Sequence, residues 1–104
     1  MLDSWIKLAH EQGASDLHLE AGLPPAVRIR GTIRSAGEPV AGRTLLAIGH
    51  ELLGDENWQR FLERRSFDLS KTIAGVRCRI NVLQSARGIG FAAGGDIEGS
   101  GAGR

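Results

Sequence analysis

The stretch that decides the fold is GASDLHLEAGLPPAVRIRGTIRSAGE, residues 13 to 38. On both sides of a double proline it alternates apolar and polar residues with a period of two, which is typical of strands buried on one side. Leu17 and Leu19 mark the buried side of the first strand. Val27 and Ile29 do the same for the second. Prolines lack amide donors, so the chain must leave the sheet between these strands.

Arginine occupies the polar positions after the double proline. The alternation predicts Val27, Ile29 and Ile33 to point inward and Arg28, Arg30 and Arg34 to point outward, with Gly31 supplying a hairpin turn. One side of this sheet is therefore expected to build the core, while the other carries guanidinium groups.

The same alternation returns in SFDLSKTIAGVRCRINVLQSARGIGFAA, residues 66 to 93. The predicted inward residues are Val76, Cys78, Ile80 and Val82, and the predicted outward residues are Arg77, Arg79 and Asn81. Turns are predicted at Ala74-Gly75 and Arg87-Gly88, with Ile89, Phe91 and Ala93 in a last strand. Five outward arginines, with Arg87 at the edge, are thus expected on one side of the sheet.

Helical spacing governs the remaining segments. Residues 3 to 12 form one predicted helix and residues 43 to 53 another, which ends at Gly54. Asp55 can cap a third. The predicted inward residues are Leu45, Leu46, Ile48 and Leu52 in the second helix and Trp58, Phe61 and Leu62 in the third. The order helix, three strands, two helices, three strands predicts an α+β domain: an antiparallel sheet with helices packed on one face.

Composition excludes several classes of protein. A length of 104 residues suits one domain, and the lone Cys78 rules out an internal disulfide. The opening MLDSWIKLAHEQG has no apolar run long enough for a signal or membrane helix, so a cytoplasmic location is expected. Only Lys7 and Lys71 of the 13 basic residues are lysine, a bias that a high-GC genome would also produce.

No catalytic or metal-binding constellation is present in the sequence. His10, His18 and His50 lack the paired spacing of a metal-binding helix. Cys78 falls on an inward position, where a thiol stays protonated. Asp16 is expected to bond a neighbouring arginine or the backbone. The glycine-rich end EGSGAGR lacks the lysine of a phosphate-binding loop.

The outward arginines admit a solvated face or a surface that contacts an anion. Arginine binds carboxylates and phosphates through two parallel bonds, which lysine does not. A nucleic-acid surface would also require exposed aromatic side chains for stacking. Aromatic residues are 5% of the chain, and Trp5, Trp58 and Phe61 fall on inward helix positions, which argues against an RNA-binding sheet.

Two motifs resemble a known family. GASDLHLEAGLPPAVRIRG is similar to the signature opening of the twitching-motility (PilT-type) retraction ATPases of type IV pili, relatives of the type II secretion ATPases. GVRCRINVLQSARGIGFAA resembles a second segment of that family, with Arg77, Arg79, Asn81 and Arg87 in register. The resemblance covers residues 1 to 93, while Gly94 stands where the family has an arginine.

This resemblance implies a PAS-like N-terminal domain over residues 1–93. The glycine-rich composition of residues 94–104 predicts a disordered tail or a linker remnant. In such ATPases the domain precedes a RecA-like domain that binds ATP with Mg²⁺. Six subunits form a ring, each N-terminal domain packs on a neighbour's RecA-like domain, and the motor acts with an inner-membrane platform protein. The residues implied to contact ATP phosphates are Arg77, Arg79 and Arg87, with Arg28 and Arg30 as further candidates.

Because the chain shows no Walker motif, it is expected to hold no nucleotide and to hydrolyse no ATP by itself. Two other functions stay open. A PAS-like sensor would bind a small ligand in a cavity between helices and sheet. A module for an anionic partner, such as nucleic acid, would use the arginine face and show steep salt dependence.

Overall fold

The predicted order of elements is present in the computed structural model, which describes residues 1–95. The elements are α1 (Leu2–Glu11), β1 (Asp16–Glu20), β2 (Ala26–Ile29), β3 (Thr32–Ser35), α2 (Gly42–Arg64), β4 (Ser66–Ile73), β5 (Val76–Ser85) and β6 (Gly88–Gly95). The strands lie where the period-two alternation predicted them, and the α+β fold class is confirmed.

All six strands form one antiparallel sheet in the order β3-β2-β1-β6-β5-β4. Strands β1, β2 and β3 form one antiparallel meander, and β4, β5 and β6 form another. The pairing of β1 with β6 joins the two halves. In that central pairing Leu19 lies opposite Phe91. The two arginine-bearing segments of the sequence therefore become parts of one sheet.

Two hairpins close with two-residue turns in which both central residues have positive φ. Arg30 and Gly31 have φ of 51° and 82°, and Ala74 and Gly75 have φ of 52° and 79°. This is the type I′ geometry, whose twist matches that of the flanking strands. The predicted turns at Gly31 and at Ala74-Gly75 are confirmed.

The facing of β3 differs from the prediction. Arg28 pairs with Ile33 and Val27 pairs with Arg34, so Ile33 shares the outward side and Arg34 shares the inward side of the sheet edge. Predicting Ile33 inward and Arg34 outward was wrong. The prediction extends the alternation of β2 through Gly31 into β3. In a two-residue turn, however, the flanking residues Ile29 and Thr32 lie opposite each other and share a face, so the alternation changes phase.

Helix α2 contains a break where two helices were predicted to meet. Gly54 has φ 83° and ψ 165°, a conformation that only glycine adopts without strain, and helical structure resumes after it. Across the break, His50 Nε2 lies 2.7 Å from Asp55 Oδ1. The sequence predicted Asp55 as the cap of the helix that follows. In the structure its side chain contacts His50 in the preceding helical turn.

The core lies between the helices and one face of the sheet, as predicted. Its most buried large side chains are Phe61, Ile6, Leu17, Leu45, Val27, Val82 and Cys78. Leu46 and Leu62 were predicted to be inward but are each 45% exposed. Consecutive helical side chains point about 100° apart, so the burial of Leu45 and Phe61 turns these neighbours toward solvent.

Strand β6 extends through Gly94 and Gly95, which the sequence placed in the tail. The remainder of the predicted tail, residues 96–104, lies outside the described residues. Over residues 1–95, no helix has both the length and the apolar character needed to cross a membrane.

Candidate functional site: the open face of the sheet

The face of the sheet opposite the helices, called the open face below, carries the candidate site. Directly opposed residues share a face, so the strand register assigns its side chains. One transverse row consists of Ile33, Arg28, Asp16, Gly94, Arg79 and Ser70, taken from β3 to β4. Arg28 and Arg79 therefore lie on one face, as predicted. Three strand spacings separate them, about 14 Å.

Arg28 is bonded to a carboxylate. Its Nε lies 3.3 Å from Asp16 Oδ2, on the neighbouring strand. Ser15 Oγ donates a hydrogen bond of 2.9 Å to the same oxygen. The prediction that Asp16 bonds a neighbouring arginine is confirmed. Both side chains of the ion pair are more than a third exposed, so the pair orients Arg28 more than it stabilises the fold.

Arg77 and Arg79 lie on the open face of β5 and make no ion pair within residues 1–95. Arg77 is opposite Thr72, and Arg79 is opposite Ser70. Arg79 borders a shallow depression of about 490 Å³, which Asp68, Ser70 and Asn81 also line. Among the residues that the structure describes, therefore, no carboxylate lies within ion-pair distance of these two guanidinium groups.

Arg87 lies at the other end of the sheet. It is in the turn between β5 and β6, and its Nε is 2.9 Å from Glu20 Oε2 at the end of β1. Ser85 Oγ accepts a hydrogen bond from the Arg87 amide. Because Ser85 is six residues beyond Arg79 along β5, this end of the face is about 20 Å from Arg79.

Arg30 does not lie on the open face, since it occupies the first central position of the turn between β2 and β3. Arg34 belongs to the opposite side of β3, as described above. The expectation of one continuous arginine surface is therefore wrong. The structure brings Arg77 and Arg79 together, pairs Arg28 and Arg87 with acidic residues of β1, and places Arg30 and Arg34 elsewhere.

A groove along β6 runs through the middle of the open face. Gly90, Ala92 and Gly94 are the outward residues of this strand, and none has a side chain larger than a methyl group. A Cβ at Gly90 would lie 3.2 Å from the Leu19 carbonyl oxygen, so the close approach of β1 favours glycine there. The small-x-small-x-small pattern is visible in the sequence, where the alternation predicts a strand but not a groove along it.

Opposite charges flank the groove. On the β1 side are Asp16 and Glu20, which already bind Arg28 and Arg87. On the β5 side is Arg79, and the floor of the groove holds no charged side chain among the described residues. A depression of about 160 Å³ continues the groove toward His18 and Leu83. A docking partner can therefore approach the sheet closely, and within residues 1–95 the arginine without an ion pair that flanks the groove is on its β5 side.

Other candidate residues have structural surroundings. Trp5 and Trp58 pack against the core, as their predicted inward positions require, and Cys78 is completely buried. In residues 1–95 no three histidine, cysteine or acidic side chains lie close enough to hold a metal ion together. A depression of about 280 Å³ between α1, α2 and β4 has Asp3 and Lys71 in its lining, and it is open to solvent.

The chain has a clear relative among proteins of known role. It is 38% identical over 87 residues to the type IV pilus retraction ATPase PilT of Pseudomonas aeruginosa, an alignment that covers 82% of this chain and 25% of that protein. No protein-family model matches the chain. The chain thus spans about a quarter of the length of this relative.

Solved structures show the same relationship. The pilus retraction motor PilT, crystallised with bound ADP, superposes with a TM-score of 0.81 at 33% identity, over 90% of this chain and 28% of that one. The ATPase DotB of Legionella pneumophila superposes with a TM-score of 0.77 at 16% identity, over 89% of this chain and 27% of that one, and shares the fold. In sequence and fold, the chain is a homologue of the N-terminal domain of the PilT-type pilus retraction ATPases.

Proposed function

We propose that the chain acts as the N-terminal domain of a type IV pilus retraction motor, in which Arg77 and Arg79 contact the phosphates of ATP bound by a RecA-like domain. The observation that supports this most directly is the lack of any ion pair at these two arginines within residues 1–95. The homology to a retraction ATPase supplies the context. The groove along β6 gives the RecA-like domain a close surface on which to pack.

A guanidinium group at the γ-phosphate reports its presence. Each charge-assisted hydrogen bond contributes about 1.5–3 kcal/mol, and hydrolysis followed by phosphate release removes it. Loss of this contact weakens the docking of the domain, so that the domain can rotate as a rigid body. The Mg²⁺ and the catalytic groups belong to the RecA-like domain in this proposal.

Arg28 and Arg87 have a different role in this proposal. Both are bonded to carboxylates of β1, and an anion would have to displace Asp16 or Glu20 to bind them. They orient the docking surface. Arg30, which lies in the turn between β2 and β3, contributes only to the long-range positive field. This revises the equal weight that the sequence gave to Arg77, Arg79 and Arg87.

The assembly follows from the same relationship. The domain would pack on the RecA-like domain of its own chain and of a neighbouring subunit, in a cytoplasmic homohexamer that acts on the inner-membrane platform protein of the pilus. Nucleic acid is not expected as a partner, because the open face carries no phenylalanine, tyrosine or tryptophan among the described residues, and His18 is its one ring there.

The test is a chimeric motor in which this chain replaces the matching segment of the Pseudomonas aeruginosa ATPase. Arg77→Ala and Arg79→Ala should each lower ATP turnover by about tenfold, the effect of losing roughly one charge-assisted bond. Arg34→Ala removes an equally exposed charge from the other side of β3 and should leave turnover unchanged. Unchanged turnover in both β5 variants would contradict the proposal.

A further inference from the structure

Strand β4 offers a long free edge. It has eight residues, Ser66–Ile73, and within residues 1–95 it pairs only with β5. Its register with β5 runs without interruption from Ser66 opposite Leu83 to Ile73 opposite Val76, so no bulge bends the edge away. The strand contains no proline. An unbroken edge of this length is a template for pairing with another strand.

The β4–β5 turn determines which backbone groups are free. A two-residue turn closes on a hydrogen-bonded pair, here Ile73 and Val76, and such pairs alternate with non-bonded ones along the ladder. The residues whose N–H and C=O groups point away from β5 are therefore Ser66, Asp68, Ser70 and Thr72. Their side chains lie on the open face, where the Asn81 amide donates to Asp68.

A second copy of the chain fits this edge in one particular register. A two-fold axis perpendicular to the sheet at Leu69 places Asp68 opposite Ser70 and Ser66 opposite Thr72 of the other copy. All four residues with free backbone groups are then paired. Centring the axis on Asp68 would instead oppose two carboxylates and leave Thr72 without a partner.

Side chains on the helix side of the edge agree with the same register. It sets Leu69 against Leu69 of the other copy, and both are half-buried apolar groups packed on their own cores. It also sets Lys71 opposite Phe67, where the ammonium can contact an aromatic ring. No like charges lie directly opposite each other across the junction, and the two Asp68 carboxylates are diagonal neighbours, about 7–8 Å apart.

We infer that β4 of two copies pairs antiparallel about Leu69, so that the sheets of both copies become one continuous sheet. The junction consists of a strand pair and few other contacts, so its area is that of a weak complex. The expected dissociation constant lies between about 10 µM and 1 mM.

Sedimentation velocity of the 104-residue chain, over a concentration series up to about 1 mM, tests the dimer itself. Ser70→Pro removes an amide that faces the free edge, without removing a β4–β5 hydrogen bond. It should raise the dissociation constant of the dimer at least tenfold. Ser70→Ala keeps the amide and should still dimerise. A chain that stays monomeric at the highest concentration, or a proline variant that dimerises like the alanine variant, would overturn the inference.

Disulfide trapping tests the register. Leu69→Cys places two thiols at a non-bonded pair, where the Cα atoms are about 4.5 Å apart and a disulfide can form. Lys71→Cys places its two thiols about 13 Å apart along the strands. Oxidation should cross-link the first variant and neither the second nor the unmodified chain, whose Cys78 is buried in all three. Cross-linking of Lys71→Cys without Leu69→Cys would refute this pairing.

Discussion

Arg28 and Arg79 occupy the same transverse row of the open face, but among residues 1–95 only Arg28 is bonded to a carboxylate, with its Nε 3.3 Å from Asp16 Oδ2. The row separates the two halves of the face by charge. On the β1 side, Asp16 pairs with Arg28 of β2 and Glu20 pairs with Arg87 of the turn between β5 and β6. On β5 the arginines remain available, so that an anion is expected to bind there first.

Binding of inorganic triphosphate to the isolated chain should show this difference. We expect amide resonances around Arg77 and Arg79 to shift in NMR titrations at low salt, with millimolar affinity that weakens as salt is added. Arg79→Ala should weaken binding severalfold, because a charge-assisted bond is lost. Arg34→Ala serves as the matched control. Equal losses in the two variants would mean that only net charge matters.

Asp16→Asn should increase the affinity for triphosphate, because it releases Arg28 from its ion pair. The fold should lose less than about 1 kcal/mol, since both partners are substantially exposed. Asp55→Asn removes one negative charge from an exposed position on α2 and controls for net charge. Titration of the three proteins, with urea unfolding of each, measures both quantities. If both substitutions raised the affinity equally, the specific role of Asp16 would be excluded.

Local patterns in the sequence predicted most of this architecture. Alternation around Leu17 and Val82 identified strands, because residues two apart share a face of any strand. The break at Gly54 was also visible, because only glycine readily takes that conformation. The predicted facing of β3, after the turn at Gly31, was wrong. The number of residues in a turn decides which side chains of the following strand face the core, and the alternation alone does not give that number.

The distribution of the arginines could not be predicted from spacing alone. The predicted turn at Arg87-Gly88 put Arg87 at the edge of the face, but the spacing did not show which edge; in the structure Arg87 lies in the turn after Ser85, about 20 Å from Arg79. The partners were also nonlocal. Glu20 reaches Arg87 only because β1 pairs with β6, a choice of neighbours that depends on how the whole core packs.

Phe61→Ala should be among the most destabilising single substitutions in the domain. Its side chain is 1% exposed, and its ring packs at a tilt of 36° against Trp58, with centroids 5.2 Å apart. Removing a buried phenylalanine costs about 3–5 kcal/mol, a large part of the roughly 5–15 kcal/mol that stabilises a domain. Leu62→Ala, at the adjacent and 45% exposed position, should cost less than about 1 kcal/mol. Urea unfolding with similar losses for both would contradict this burial.

Gly49→Ala should destabilise the domain, although alanine normally stabilises a helix by about 0.5–1 kcal/mol relative to glycine. A Cβ at this position would lie 3.0 Å from Trp58 Cζ3 and 3.1 Å from Ile89 Cδ1, closer than side chains normally pack. We expect overpacking of about 1–3 kcal/mol to exceed the gain in propensity. Gly42→Ala, whose nearest neighbour would be Ala21 Cβ at 3.4 Å, should be close to neutral. Thermal unfolding of both variants shows whether Gly49→Ala lowers or raises the stability of the domain. A higher melting temperature for Gly49→Ala would mean that the core rearranges to accommodate the added methyl group.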